Sequence, residues 1–82
     1  MRLTVLYFAA VRDLVGKDEE VVEVPASVGT VESLGRHLAA LHPELEGRLG
    51  YVRFARNEEF VQAGDPVTDG DTIALIPPVA GG

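Results

Sequence analysis

The chain closes on Ala80-Gly81-Gly82, which leaves the main-chain carboxylate of Gly82 unhindered. Glycine has no Cβ, so Gly81 and Gly82 can take almost any backbone angle and thread a narrow channel. A carboxylate is a poor electrophile at neutral pH. It reacts once its oxygen becomes part of a leaving group, as in an acyl-adenylate made from ATP. Sulfur attack on that adenylate gives a thiocarboxylate, a sulfur nucleophile anchored to a carrier. Taken alone, the dipeptide is better explained as a frayed terminus. Its context changes that weighting.

No other residues form a reactive constellation. His37 and His42 are the only histidines, and neither has an acid or Ser partner in a recognisable motif. His42 is explained by its place at a helix C-terminus, where a basic group meets the last carbonyls. Asp65, Asp69 and Asp71 lack the full twelve-residue calcium pattern and read as turns before a strand. Asp18-Glu19-Glu20 and Glu58-Glu59 read as solvated surface. The glycines form no phosphate-binding fingerprint, and the sequence contains no enzyme active site of its own and no metal site.

Composition narrows the classes further. At 82 residues, 46% hydrophobic and 24% charged, the chain suits one globular domain with a modest aliphatic core. Its net charge of −6 argues against nucleic acid as a partner. It is compatible with a basic protein partner and equally with simple solubility. There is no cysteine, which excludes disulfides, thiol catalysis and Cys-ligated metal. Neither a signal peptide nor a membrane span is expected, so the cytoplasm is the default location. Lys17 is the only lysine, so a protein forming chains through its own lysines would have this one site.

The elements that must present the tail follow from periodicity. Residues 2–8 read as a strand with Leu3, Val5 and Tyr7 on the core face. The other face begins polar and ends with Leu6 and Phe8. Residues 9–16 fit a short helix, with Val11, Leu14 and Val15 clustered and Gly16 as its stop. Residues 19–24 form a second strand, with Val22 and Val24 inward. Thr30 caps a helix that runs to about His42, with Val31, Leu34, Leu38 and Leu41 as its buried stripe. A third strand holds Val52 and Phe54, with Arg53 and Arg56 outward or near its end. Asn57-Glu58-Glu59 turns the chain into a brief strand at Phe60-Val61. The last strand is Thr72 to Ile76, with Ile73 and Leu75 inward, and Pro77 and Pro78 stiffen its exit. This order predicts an α+β roll, a mixed sheet with one main helix across one face. The first and last strands would then lie adjacent and parallel. The domain would span 1–76 and a flexible tail 77–82; six extended residues reach roughly 20 Å.

On that arrangement Phe8, Phe60 and Ile76 share one apolar surface near the tail, of the kind that marks an interface. The pattern alone leaves open whether a second helical segment covers it.

Two blocks carry a family resemblance. One is Leu6-Tyr7-Phe8-Ala9-Ala10-Val11-Arg12-Asp13-Leu14-Val15-Gly16. The stronger is Pro66-Val67-Thr68-Asp69-Gly70-Asp71-Thr72-Ile73-Ala74-Leu75-Ile76-Pro77-Pro78-Val79-Ala80-Gly81-Gly82. The whole chain resembles the ubiquitin-like sulfur carriers that serve as small subunits of molybdopterin synthase. The resemblance implies a β-grasp fold. It implies that an adenylating enzyme similar to ubiquitin-activating enzymes uses ATP on Gly82, that a sulfur donor enzyme converts it to a thiocarboxylate, and that no cofactor is bound by the chain itself. The tail would then enter the large synthase subunit, in an assembly of two small and two large subunits. There its sulfur would pass to cyclic pyranopterin monophosphate, building the molybdopterin dithiolene of molybdenum cofactor biosynthesis. Catalytic side chains would belong to the partner. The matching docking positions are Phe8, Phe60 and Ile76, where the family often has an aromatic residue in place of Ile76. Arg12 matches a family arginine and is equally a surface helix residue. Competing readings are a sulfur carrier for thiamine or another thiolation pathway, a ubiquitin-like protein modifier, and a β-grasp interaction domain with an inert tail.

Overall fold

A computed structural model describes residues 1–78; Val79 to Gly82, including both terminal glycines, lie outside the described residues. The strands are β1 (Arg2–Tyr7), β2 (Glu19–Glu23), β3 (Arg53–Arg56), β4 (Glu59–Val61) and β5 (Thr72–Ile76). The helices are α1 (Ala9–Val15) and α2 (Val31–Leu41), and short 3₁₀ turns follow at Pro43–Leu45 and Leu49–Tyr51. The sheet order is β2-β1-β5-β3-β4. β1 and β5 are parallel neighbours, with Val5 opposite Ile73 and Tyr7 opposite Leu75. The remaining pairs are antiparallel. This is the mixed sheet and helix arrangement expected of a β-grasp roll.

Strand alternation assigns the faces. Leu3, Val5, Tyr7, Ile73 and Leu75 are buried on the inner face, in one cluster with Val31, Leu34 and Leu38 of α2. Two reciprocal bonds start α2. Thr30 Oγ1 accepts from the Ser33 N–H at 3.2 Å, and Ser33 Oγ accepts from the Thr30 N–H at 3.0 Å. Leu41 departs from the expected stripe and is 49% exposed. It sits in the last turn, around the helix edge from Leu38, just before Pro43 ends the helix. Leu45, folded back by the first 3₁₀ turn, is the residue fully buried at that end.

Two acids read as surface or turn are structural. Glu20 accepts the Tyr7 hydroxyl and lies 2.5 Å from His42 Nε2, with Lys17 Nζ at 3.4 Å from its other oxygen. Glu20 is therefore not a solvated acid, and His42 has the acid partner that its sequence neighbours did not suggest. Burial alone would raise the Glu20 pKa; hydrogen bonds from Tyr7 and His42, with the nearby charges of His42 and Lys17, outweigh it and lower it. Burial first, then the hydrogen bond to Glu20, pushes the Tyr7 hydroxyl well above its ordinary range. The cluster ties β1, β2 and the end of α2 together beneath the sheet.

Asp71 is the other case. It is a buried acid that accepts from Arg56 Nε at 2.6 Å, Asn57 Nδ2 at 3.0 Å and the Thr68 N–H at 2.7 Å. Burial opposes its charge, yet these donors hold its pKa down at about 2. Asp71 thus fastens the β3–β4 hairpin to the start of β5.

Candidate functional site

The outer face of the sheet has no helix across it among the described residues. The registers place Leu6, Ala74, Ala55 and Phe60 in one row across β1, β5, β3 and β4. The two alanines form a low floor between two large side chains. The result is a concavity of about 610 Å³, lined also by Phe8, Asn57, Glu58, Thr72 and Ile76. Phe8 is 45% exposed and Phe60 is 55% exposed. Leu6 and Ile76 are half-buried.

Each wall is positioned by local chemistry. Phe8 continues β1 in extended backbone, and its N–H donates to the Leu75 carbonyl at 3.3 Å. That bond carries its side chain alongside Ile76. Phe8 is also the N-cap of α1, where it makes no side-chain hydrogen bond. Ser, Thr, Asn or Asp would cap better, so phenylalanine here serves the surface rather than the helix. α1 then closes on Gly16, at φ 86°, whose N–H donates to the Arg12 carbonyl. The left-handed backbone there suits glycine.

Phe60 is held by the tight β3–β4 turn. Asn57 and Glu58 have φ of 49° and 74°. Two successive positive φ values between paired Arg56 and Glu59 match a two-residue primed turn, whose twist suits a hairpin. The Arg53 guanidinium lies 3.7 Å from the centre of the Phe60 ring. Arg53 stands opposite Ile76, so a cation marks the end of the groove where β5 finishes. Immediately beyond Ile76 come Pro77 and Pro78, and the chain runs on to the two terminal glycines.

The structure thus brings Phe8, Phe60 and Ile76 to one groove, while Arg12 does not line it. Arg12 sits one turn along α1 from Phe8, exposed, with Asp13 3.9 Å away. Gly81 and Gly82 lie outside the described residues. The sequence pattern does not single out the floor alanines or the Arg53–Phe60 stack. β5 parity already places Ala74 with Ile76; nothing local foretells that Arg53 lies over Phe60.

The arrangement offers an apolar seat beside the end of β5. Among the described residues no helix is long and apolar enough to cross a membrane.

Comparison with known proteins points the same way. The model of the ThiS family matches residues 5–82. The molybdopterin synthase sulfur carrier subunit of Escherichia coli is 44% identical over 98% of this chain and 99% of its own length. Small archaeal modifier protein 1 of Haloferax volcanii superposes with a TM-score of 0.84 at 28% identity, covering 95% of this chain and 98% of that one. Subunit 1 or 2 in the complex of the molybdopterin-converting factor from Helicobacter pylori matches at a TM-score of 0.69 and 25% identity, with all of both chains covered.

Proposed function

The chain belongs to the ThiS family, and on that premise we propose that it is the sulfur carrier subunit of a molybdopterin synthase. The observation that carries the reading is the groove of Phe8, Phe60 and Ile76 at the end of β5, from which the chain continues to Gly81 and Gly82. The head docks by that groove; the tail supplies the reacting group.

In this reading a ubiquitin-activating-like enzyme binds ATP and adenylates the Gly82 carboxylate, with loss of pyrophosphate. Sulfide released by a sulfur donor then attacks the acyl carbon, AMP leaves, and the product is a thiocarboxylate. The large synthase subunit receives the tail, and the sulfur passes to cyclic pyranopterin monophosphate. The chain itself binds no cofactor and works in the cytoplasm. Its own contribution is positional. The sheet holds the Ile76 end rigid, Pro77 and Pro78 restrict the first step outward, and the glycines admit the acyl carbon to a narrow site. Pyranopterin chemistry then needs no side chain from this subunit.

Intact mass after incubation with the adenylating enzyme, ATP and a sulfide source tests the reading. It should show one oxygen of Gly82 replaced by sulfur. Addition of large subunit and pterin precursor should consume that sulfur. Gly81→Ala and Gly82→Ala should slow loading or transfer, and wild-type rates with both alanines in place would overturn the threading argument.

The likeness to the archaeal modifier favours a second reading, attachment of Gly82 to lysines of other proteins. A lysine-linked adduct in place of a thiocarboxylate would select it.

A further inference from the structure

Among the described residues β2 forms one rim of the sheet, with β1 beside it. Along this antiparallel pair the Tyr7 N–H donates to the Asp18 carbonyl and the Val24 N–H to the Met1 carbonyl, each at 2.8 Å. Hydrogen-bonded pairs alternate in such a ladder. Asp18, Glu20, Val22 and Val24 therefore turn their peptide groups toward β1. Glu19, Val21 and Glu23 turn theirs away from the sheet, toward open space. The same three residues share the outer face, opposite Leu6, Thr4 and Arg2. Val21 is 60% exposed.

An open edge accepts another strand through main-chain bonds. The side chains decide which strand. Here they read acid, aliphatic, acid at alternate positions. Glu23 is shared with Arg2 at 2.8 Å, while Glu19 stands opposite apolar Leu6. A second copy would set these acids against their own kind, and like charges across strands destabilise pairing. A basic strand would meet opposite charges and be drawn in by the net charge of −6.

We propose that the β2 edge binds an extended basic segment of another protein as a sixth strand. Lys or Arg would lie opposite Glu19 and Glu23, and an aliphatic residue opposite Val21. β2 and β4 are at opposite rims, so such a strand leaves the Phe60 side of the groove open. The carrier can then hold a second protein while its groove is occupied. This inference does not depend on the sulfur chemistry.

The test uses a blocked peptide, Thr-Arg-Thr-Val-Thr-Arg-Thr, and a counterpart with Glu in place of Arg. The Arg peptide should shift the amide resonances of residues 19–23 in a nitrogen-15 NMR titration. It should bind at least about tenfold more tightly than the Glu peptide, and more weakly as salt rises. Val21→Pro removes an outward N–H and should abolish the binding. Glu19→Arg, an exposed change that keeps the fold, should weaken the Arg peptide and strengthen the Glu peptide. Equal affinity for the two peptides, shifts centred on the groove, or full affinity in Glu19→Arg would overturn the proposal. So would a self-association, seen by sedimentation and lost in Val21→Pro, which would give the edge to a second copy.

Discussion

The two faces of the sheet are built from the same strands and differ by one residue of register. On the inner face Leu3, Val5, Tyr7, Ile73 and Leu75 are closed over by α2. On the outer face Leu6, Phe8, Ala74, Ile76 and Phe60 are nearly as apolar, yet no helix covers them among the described residues. Hydrophobicity by itself therefore does not tell a covered face from an open one. What separates them is shape. The inner face is filled by large aliphatic side chains against a helix, whereas the outer face has an alanine floor between aromatic walls.

Substitutions can sharpen or break that contrast. The largest effect belongs to the inner face. Leu34→Ala should cost about 3 kcal/mol, within the usual range for a buried leucine. Denaturant unfolding measures it, and a change below about 1 kcal/mol would mean the inner face is no better packed than the outer.

Asp71 comes next. Asp71→Asn should cost about 2–3 kcal/mol by unpairing the half-buried Arg56. It should also alter the acid limb. The Asp71 pKa is held at about 2, against an ordinary 3.8. Its contribution is therefore full above the ordinary value and fades as pH falls through about 2. A melting profile that falls less steeply over that window in the variant than in the parent is the expected result, the remaining slope coming from other acids such as Glu20, whose pKa is also lowered.

On the outer face the two readouts should part company. Phe8→Asp should weaken binding of the large subunit by about tenfold or more, because a charge enters a dry contact. Stability should hold or rise slightly, since aspartate caps α1 better than phenylalanine. Unchanged affinity by calorimetry would remove Phe8 from the docking surface. The smallest effect is at the turn. Glu58→Gly should stabilise by roughly 1 kcal/mol, because φ of 74° suits glycine. A lower melting temperature would instead show that the Glu58 side chain supports the groove.

Much of this was legible in the sequence because it depends on period and punctuation. Alternation along residues 2–8 separated Leu3, Val5 and Tyr7 from Leu6 and Phe8. Thr30 and Pro43 bracket α2, and Asn57-Glu58-Glu59 marks the hairpin turn, although Glu59 already belongs to β4. The misjudged residues are those whose environment comes from distant chain. Glu20 reads with its acidic neighbours as surface, but its partners Tyr7 and His42 arrive from another strand and from the end of a helix. Asp71 reads as a turn-former, yet Arg56 and Asn57 make it a buried, paired acid. Leu41 kept helical spacing up to the point where the helix ran out. The groove was legible as three aromatic or aliphatic positions, but not its floor, which exists only once four strands align.

The parallel pairing of β1 with β5 also bears on the protein's synthesis. The strand that leads into the tail settles between the first strand made and one made midway. A ribosome must therefore release nearly the whole chain before β5 can be placed. A fragment that stops short has neither the central strand nor the exit beside the groove. The groove of Phe8, Phe60 and Ile76 is thus complete only when β5 is in place, and a shortened chain would lack it.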